Sequence, residues 1–209
     1  LTSAMPQVVW YHRNTRSLYP VCLEVQHLES LKGQFVDPLL NHTFGASLRG
    51  LEMVKDGAKD EAIALAKATV EAHPELASAH LHLGLVLCLA GDAKAGREAY
   101  GAALKCASED PDALTAVAAA YTSLEDYPLA AKALAGALAI APEHGPALVG
   151  AGVLALEKGD LGTARRNLER AVNVRPKDAR AAWLLGVCHQ RLGNDAAAVA
   201  SLRRAADLD

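Results

Sequence analysis

The sequence predicts an all-α chain of stacked helix–turn–helix units, and three observations carry that prediction. A 34-residue period runs from Thr43 to Asp209 without an insertion: small residues recur at Gly50, Gly84, Ala118, Gly152 and Gly186, and again at Ala62, Gly96, Ala130, Ala164 and Ala198. A third column, Pro74, Ser108, Pro142 and Pro176, keeps the same register. Units this short cannot bury an apolar face alone and must stack on their neighbours. The composition agrees, because 51% of residues are apolar but only 4% aromatic, so the interior is made of Ala, Leu and Val. The first two are strong helix formers. The turns agree as well: Gly57, Gly91, Gly159 and Gly193 share one register position, with Glu125 in the remaining place.

Residues 1–42 lie outside the period and read as an N-terminal extension. Gln7, Val8, Val9, Trp10 and Tyr11 form a short apolar, β-prone stretch. Leu18, Val21, Cys22, Val25 and Leu28 follow helical spacing, so Leu18 to Leu31 is predicted as an amphipathic helix opening at Pro20 and ended by Gly33. Pro38 opens another helix running toward the first repeat. The extension could cap the array's open face, lie in a groove of its own or a second copy, or serve as a docking arm or remnant of another domain.

The repeats span 43–76, 77–110, 111–144, 145–178 and 179–209. In the fourth, Leu148, Ala151, Gly152 and Ala155 share a face, giving a first helix to about Lys158. Gly159 suits the left-handed conformation that ends a helix, and Asp160 suits the N-cap of the next. Ala164, Leu168, Ala171 and Val172 mark the second helix's inner face, and the helix stops before Pro176. Gly152 and Ala164 let the two helices approach closely. In the third unit Asp126 and Pro128 take over the helix start after Glu125. In the second, Ser108 stands for proline and Asp110-Pro111 caps the following helix.

Helix–turn–helix units of this length with the small/small/Pro pattern resemble the tetratricopeptide repeat (TPR) family over residues 43–209, as five consecutive units. Only Tyr100 and Tyr121 occupy the columns where that family usually has bulky aromatics. The resemblance implies a right-handed superhelical solenoid whose first helices line a concave side. Carried over, the inward positions are Leu51, Val54, Leu81, Leu85, Cys88, Leu89, Ala119, Val149, Val153, Leu156, Trp183 and Val187, with Lys55, Thr115, Thr122 and Arg191 beside them. The family's charged grip on a terminal carboxylate is not matched, since Lys55 and Arg191 lie at opposite ends. A largely apolar groove implies a peptide or amphipathic helix of another protein as ligand, held by side-chain anchors.

Enzymatic, metal and cofactor chemistry find no support. There is no Gly-rich phosphate loop, no GxSxG and no HExxH. His12, His27 and His42 share no helical face, and His80 and His82 point about 200° apart. Cys22, Cys88, Cys106 and Cys188 are scattered without a CxxC pair, which fits a reducing, cytoplasmic setting. No apolar run approaches the roughly 20 residues needed to span a bilayer, so no membrane insertion is expected. The chain opens at Leu1 rather than Met, which fits a processed start or an excised fragment. A net charge of −3 gives no general attraction to nucleic acid. Arg165, Arg166, Arg170, Arg203 and Arg204 read as a salt-laced solvent face between nearby carboxylates.

The reading is thus a non-catalytic protein-interaction module, adaptor or scaffold. The alternatives are a self-assembling structural scaffold, or a regulatory region of a larger enzyme or of a secretion or assembly complex. Self-association would use the N-terminal segment or the last repeat's face, including Val199, Leu202 and Leu208.

Overall fold

The structure, a computed structural model, describes residues 49–208. The expected features of the extension, from the Val8–Tyr11 stretch to the 18–31 helix and Pro38, lie outside the described residues. Every regular element among the described residues is an α-helix. In chain order they are α1 (49–55), α2 (Lys59–Ala72), α3 (Ala77–Ala90), α4 (Ala93–Cys106) and α5 (Pro111–Ser123). They continue with α6 (Tyr127–Ile140), α7 (Gly145–Glu157), α8 (Leu161–Val174), α9 (Ala179–Arg191) and α10 (Asp195–Leu208). The chain forms two compact units, one to Cys106 and one from Ala107, the second leaving out residues 123–125.

The turn chemistry is the one the glycine register predicts. Gly57, Gly91, Gly159 and Gly193 have φ of 85°, 109°, 76° and 73°. After Gly159 the Asp160 amide reaches back to the Ala155 carbonyl at 2.9 Å while the Gly159 amide bonds Leu156 at 3.1 Å. These are the two bonds of a Schellman ending. Glu125 occupies the same place with φ of 59°, a left-handed conformation that strains a residue with a Cβ.

Helix starts follow local rules with one addition. Asp160 and Asp178 accept from the amides of Thr163 and Ala181 at 3.0 and 2.9 Å. Asp110 accepts from Asp112 and Ala113 at 2.9 and 3.2 Å, as its place before Pro111 implied. Asp126 stands at the N-cap of α6, but its side chain makes no capping bond. His144 caps α7 instead of a carboxylate: its Nδ1 accepts from the Ala147 amide at 3.3 Å, and its Nε2 lies 3.0 Å from Asp112 Oδ1. With Nδ1 an acceptor, Nε2 carries the proton and donates to Asp112.

In the first unit α3 packs on both α2 and α4. Ala62, Ala66 and Val86 form its core with Met53, Val54, Ile63 and Leu83 at the margin. Gly84 lets the Tyr100 ring lie directly on α3; a Cβ there would also stand 3.0 Å from the Gly96 carbonyl. In the second unit α8 packs between α7 and α9, around Leu148, Leu168, Val172, Leu184, Leu185 and Cys188. Gly152 makes the same kind of room: a Cβ on it would lie 2.6 Å from Leu168 Cγ.

The histidine and arginine expectations resolve locally. His80 Nε2 bonds the Pro74 carbonyl at 2.8 Å, while His82 is only 5% exposed and its Nε2 has no partner. Arg170 and Arg204 donate to the carbonyls of Pro142 and Pro176, both at 2.8 Å, a clamp that repeats in register. Arg166 donates to Thr163 Oγ1, and Arg165 pairs with Glu169 at 3.6 Å.

Candidate protein-binding face

The expected ligand positions divide by their angle from the glycine column. Residues one place after it are rotated about 100° out of the helix seam, whereas those four places after it lie only about 40° away. Leu51, Leu85, Ala119, Val153 and Val187 belong to the first class, and all five are half-buried. They make the spine of the first-helix faces, in the first unit on α1 and α3, in the second on α5, α7 and α9.

Val54, Cys88 and Leu156 belong to the second class, and the structure turns them inward. Val54 packs against Ala62, Ala66 and Val86. Cys88 hydrogen-bonds Tyr100, and a Cβ on Gly96 would collide with its sulfur. Burial holds the Cys88 thiol above its ordinary range, and burial likewise raises the Tyr100 hydroxyl. Leu156 and Val149 are each 6% exposed within the second unit's core. Cys188 is fully buried, its thiol raised by burial, and Cys106 is exposed. Leu81 is half-buried.

Each unit leaves one expected apolar position open on a first helix. Leu89 is 42% exposed on α3, and Trp183 is 49% exposed on α9. Lys55 and Arg191 are also exposed. Thr115 and Thr122 donate their hydroxyl protons back to the carbonyls of Pro111 and Ala118, at 2.7 and 2.8 Å, so neither hydroxyl is a ready donor to a ligand. On α10, Val199 and Leu208 are exposed, but Leu202 lies against Gly186 of α9 and so faces into its own pair. Among the described residues, no group of three or more His, Cys, Asp or Glu could hold a metal ion. No described helix is long and apolar enough to cross a membrane.

Comparison with known proteins places this architecture. A model described as a tetratricopeptide repeat matches residues 149–209, and one described as a domain of unknown function (DUF5703) matches residues 2–114, just over half of the chain. The chain belongs to the DUF5703 family and is a tetratricopeptide-repeat protein. The TPR protein's backbone is similar to a crystal structure of MamA, with a TM-score of 0.59 and 21% identity over 76% of this chain and 93% of that one. It is also similar to PilF of Pseudomonas aeruginosa, with a TM-score of 0.64 and 18% identity over 83% of this chain and 79% of that one. Identities this low establish the TPR-type all-α fold and nothing about ligands. No curated protein matches the sequence.

Three features of the TPR protein were not read from its sequence: the histidine cap, the paired arginine clamps and the inward turn of the Val54–Cys88–Leu156 column. The last was available in principle, because those residues sit four places after glycines that must face a partner helix.

Proposed function

We propose that this TPR protein is a non-catalytic interaction module whose first-helix faces bind a peptide or amphipathic helix of another protein. The observation that carries this reading is found in each unit by itself: half-buried Leu51 and Leu85 with open Leu89 in the first, and half-buried Ala119, Val153 and Val187 with open Trp183 in the second. Partly exposed apolar residues in register on the first helices of a unit are what a helix-in-groove ligand uses as anchor sites. Residues 43–209 act as the binding array, with residues 1–42 as an extension to it. Neither nucleic acid nor a cofactor has a part in this function.

The test is affinity capture from native lysate with the wild type beside a Leu85→Glu/Val153→Glu variant. Because Val153 abuts the core, a Leu89→Glu variant at an open position is run alongside, and all are checked for helicity. A partner recovered by the wild type and lost from both variants supports the proposal. Equal recovery by every folded variant refutes it.

A further inference from the structure

Resting on that reading, we propose that the second unit's face selects an acidic amphipathic helix, with an apolar anchor on Trp183 and a side-chain carboxylate two turns away on Arg191. Register places Arg180, Trp183, Val187 and Arg191 on one stripe of α9, spanning about 80° of the helix surface. The corresponding stripe of α7 is Pro146, Val149, Val153 and Glu157. With Val149 buried in the core, the face passes from half-buried Pro146 and Val153 on α7 to an aromatic flanked by cations on α9, and α9 itself contains no acidic residue.

Arg191 is positioned for this role. Its Nη1 donates to the Leu156 carbonyl at 3.2 Å, which ties the guanidinium across to the end of α7. That bond takes one of five donors and leaves a flat, oriented fork for a carboxylate. The Thr115 and Thr122 hydroxyl protons are already given to their own helix and do not compete for the carboxylate. Trp183 lies eight residues from Arg191 in sequence. On a helix that is about 12 Å, the reach between positions seven or eight apart on a partner helix. A helix with Leu, Phe or Trp at one position and Asp or Glu seven or eight residues away satisfies both ends. A nucleic acid would need a continuous cationic track, and the apolar α7 stripe ending in Glu157 interrupts it.

The experiment pans a displayed library of random helical 16-residue peptides on the wild-type chain, on Arg191→Gln and on Val153→Glu. Binding of selected peptides is then followed by Trp183 emission in a Trp10→Phe background, where Trp183 is the remaining tryptophan of two. Enrichment of an acidic residue seven or eight places from an apolar anchor is expected on wild type and lost on Arg191→Gln. Selected peptides should bind Arg191→Gln about tenfold more weakly, and Glu→Gln peptides should no longer distinguish the two proteins. Peptides lost on Val153→Glu but indifferent to Arg191→Gln would overturn this inference while leaving the groove intact. No enrichment on any folded target would overturn both readings. Displacement of bound peptide by oligo-dT as effectively as by unlabelled peptide would overturn the inference in favour of nucleic acid.

Discussion

His82 gives the first unit a measurable acid sensitivity. Its ring is 5% exposed on α3, its Nε2 is unpartnered, and it fills the space left by Gly50, where a Cβ would stand 2.7 Å from that nitrogen. Burial lowers its pKa from 6.5 to about 4. The folded state thus keeps the ring neutral while the unfolded chain protonates it near pH 6.5. More protons are bound by the unfolded state between these values, so stability is complete above pH 6.5 and falls as pH drops toward 4. At ~1.36 kcal/mol per pKa unit the full difference is about 3 kcal/mol, most of it lost by about pH 4.5. Guanidinium unfolding followed by circular dichroism, from about pH 7.5 to about pH 4.5, would measure it. His82→Leu is expected to lose about 2–3 kcal/mol less than wild type over that range, because it removes the titrating ring. Equal acid losses in the two proteins, or a His82 pKa near 6.5 by NMR in the folded state, would refute the reasoning.

Other substitutions separate packing from backbone effects. Gly84→Ala drives a methyl into the Tyr100 ring and should cost about 1–3 kcal/mol. Gly136→Ala meets only the Leu114 side chain, Cδ1 at 3.4 Å and Cδ2 at 3.9 Å, and should be neutral or raise stability by up to about 1 kcal/mol. A loss for Gly136→Ala as large as that for Gly84→Ala in paired denaturant titrations would contradict the close-approach account. Glu125→Gly should relieve the left-handed strain and raise the melting midpoint by about 1–4 °C, whereas Gly159→Ala should lower it. Arg170→Ala and Arg204→Ala each remove a guanidinium–carbonyl bond and should cost about 0.5–1.5 kcal/mol in urea unfolding, a loss that Lys does not fully restore.

Much of this fold is written in local signals. The period sets the helices, the glycine register sets the turns, and Asp110 and Asp160 announce their own caps because capping needs only residues three places apart. Even the odd turn at Glu125 is visible as a gap in the glycine register. What the sequence hides is set by contacts across repeats. His144 becomes a cap because Asp112, far back in the chain, fixes its tautomer. Arg170 and Arg204 look like a solvent stripe until the proline carbonyls they hold are seen. For the candidate face, the period identified the helices correctly, but separating Leu85 from Cys88, or Val153 from Leu156, needs the helix rotation that packing determines. His82 and His80 are equally plausible as surface residues until α3 is docked, and then one is buried and one bonds Pro74.

The central claim is that ligands are held by the first helices and not the second. Site-specific incorporation of a photo-crosslinking phenylalanine tests it directly at positions of comparable exposure. Leu89 and Trp183 are 42% and 49% exposed on first helices, and Ile140 and Val174 are 48% and 38% exposed on second helices. After irradiation in native lysate, a discrete crosslinked partner is predicted from Leu89 or Trp183 and none from Ile140 or Val174. The same partner captured equally from all four positions, or only from Ile140 and Val174, would contradict the account.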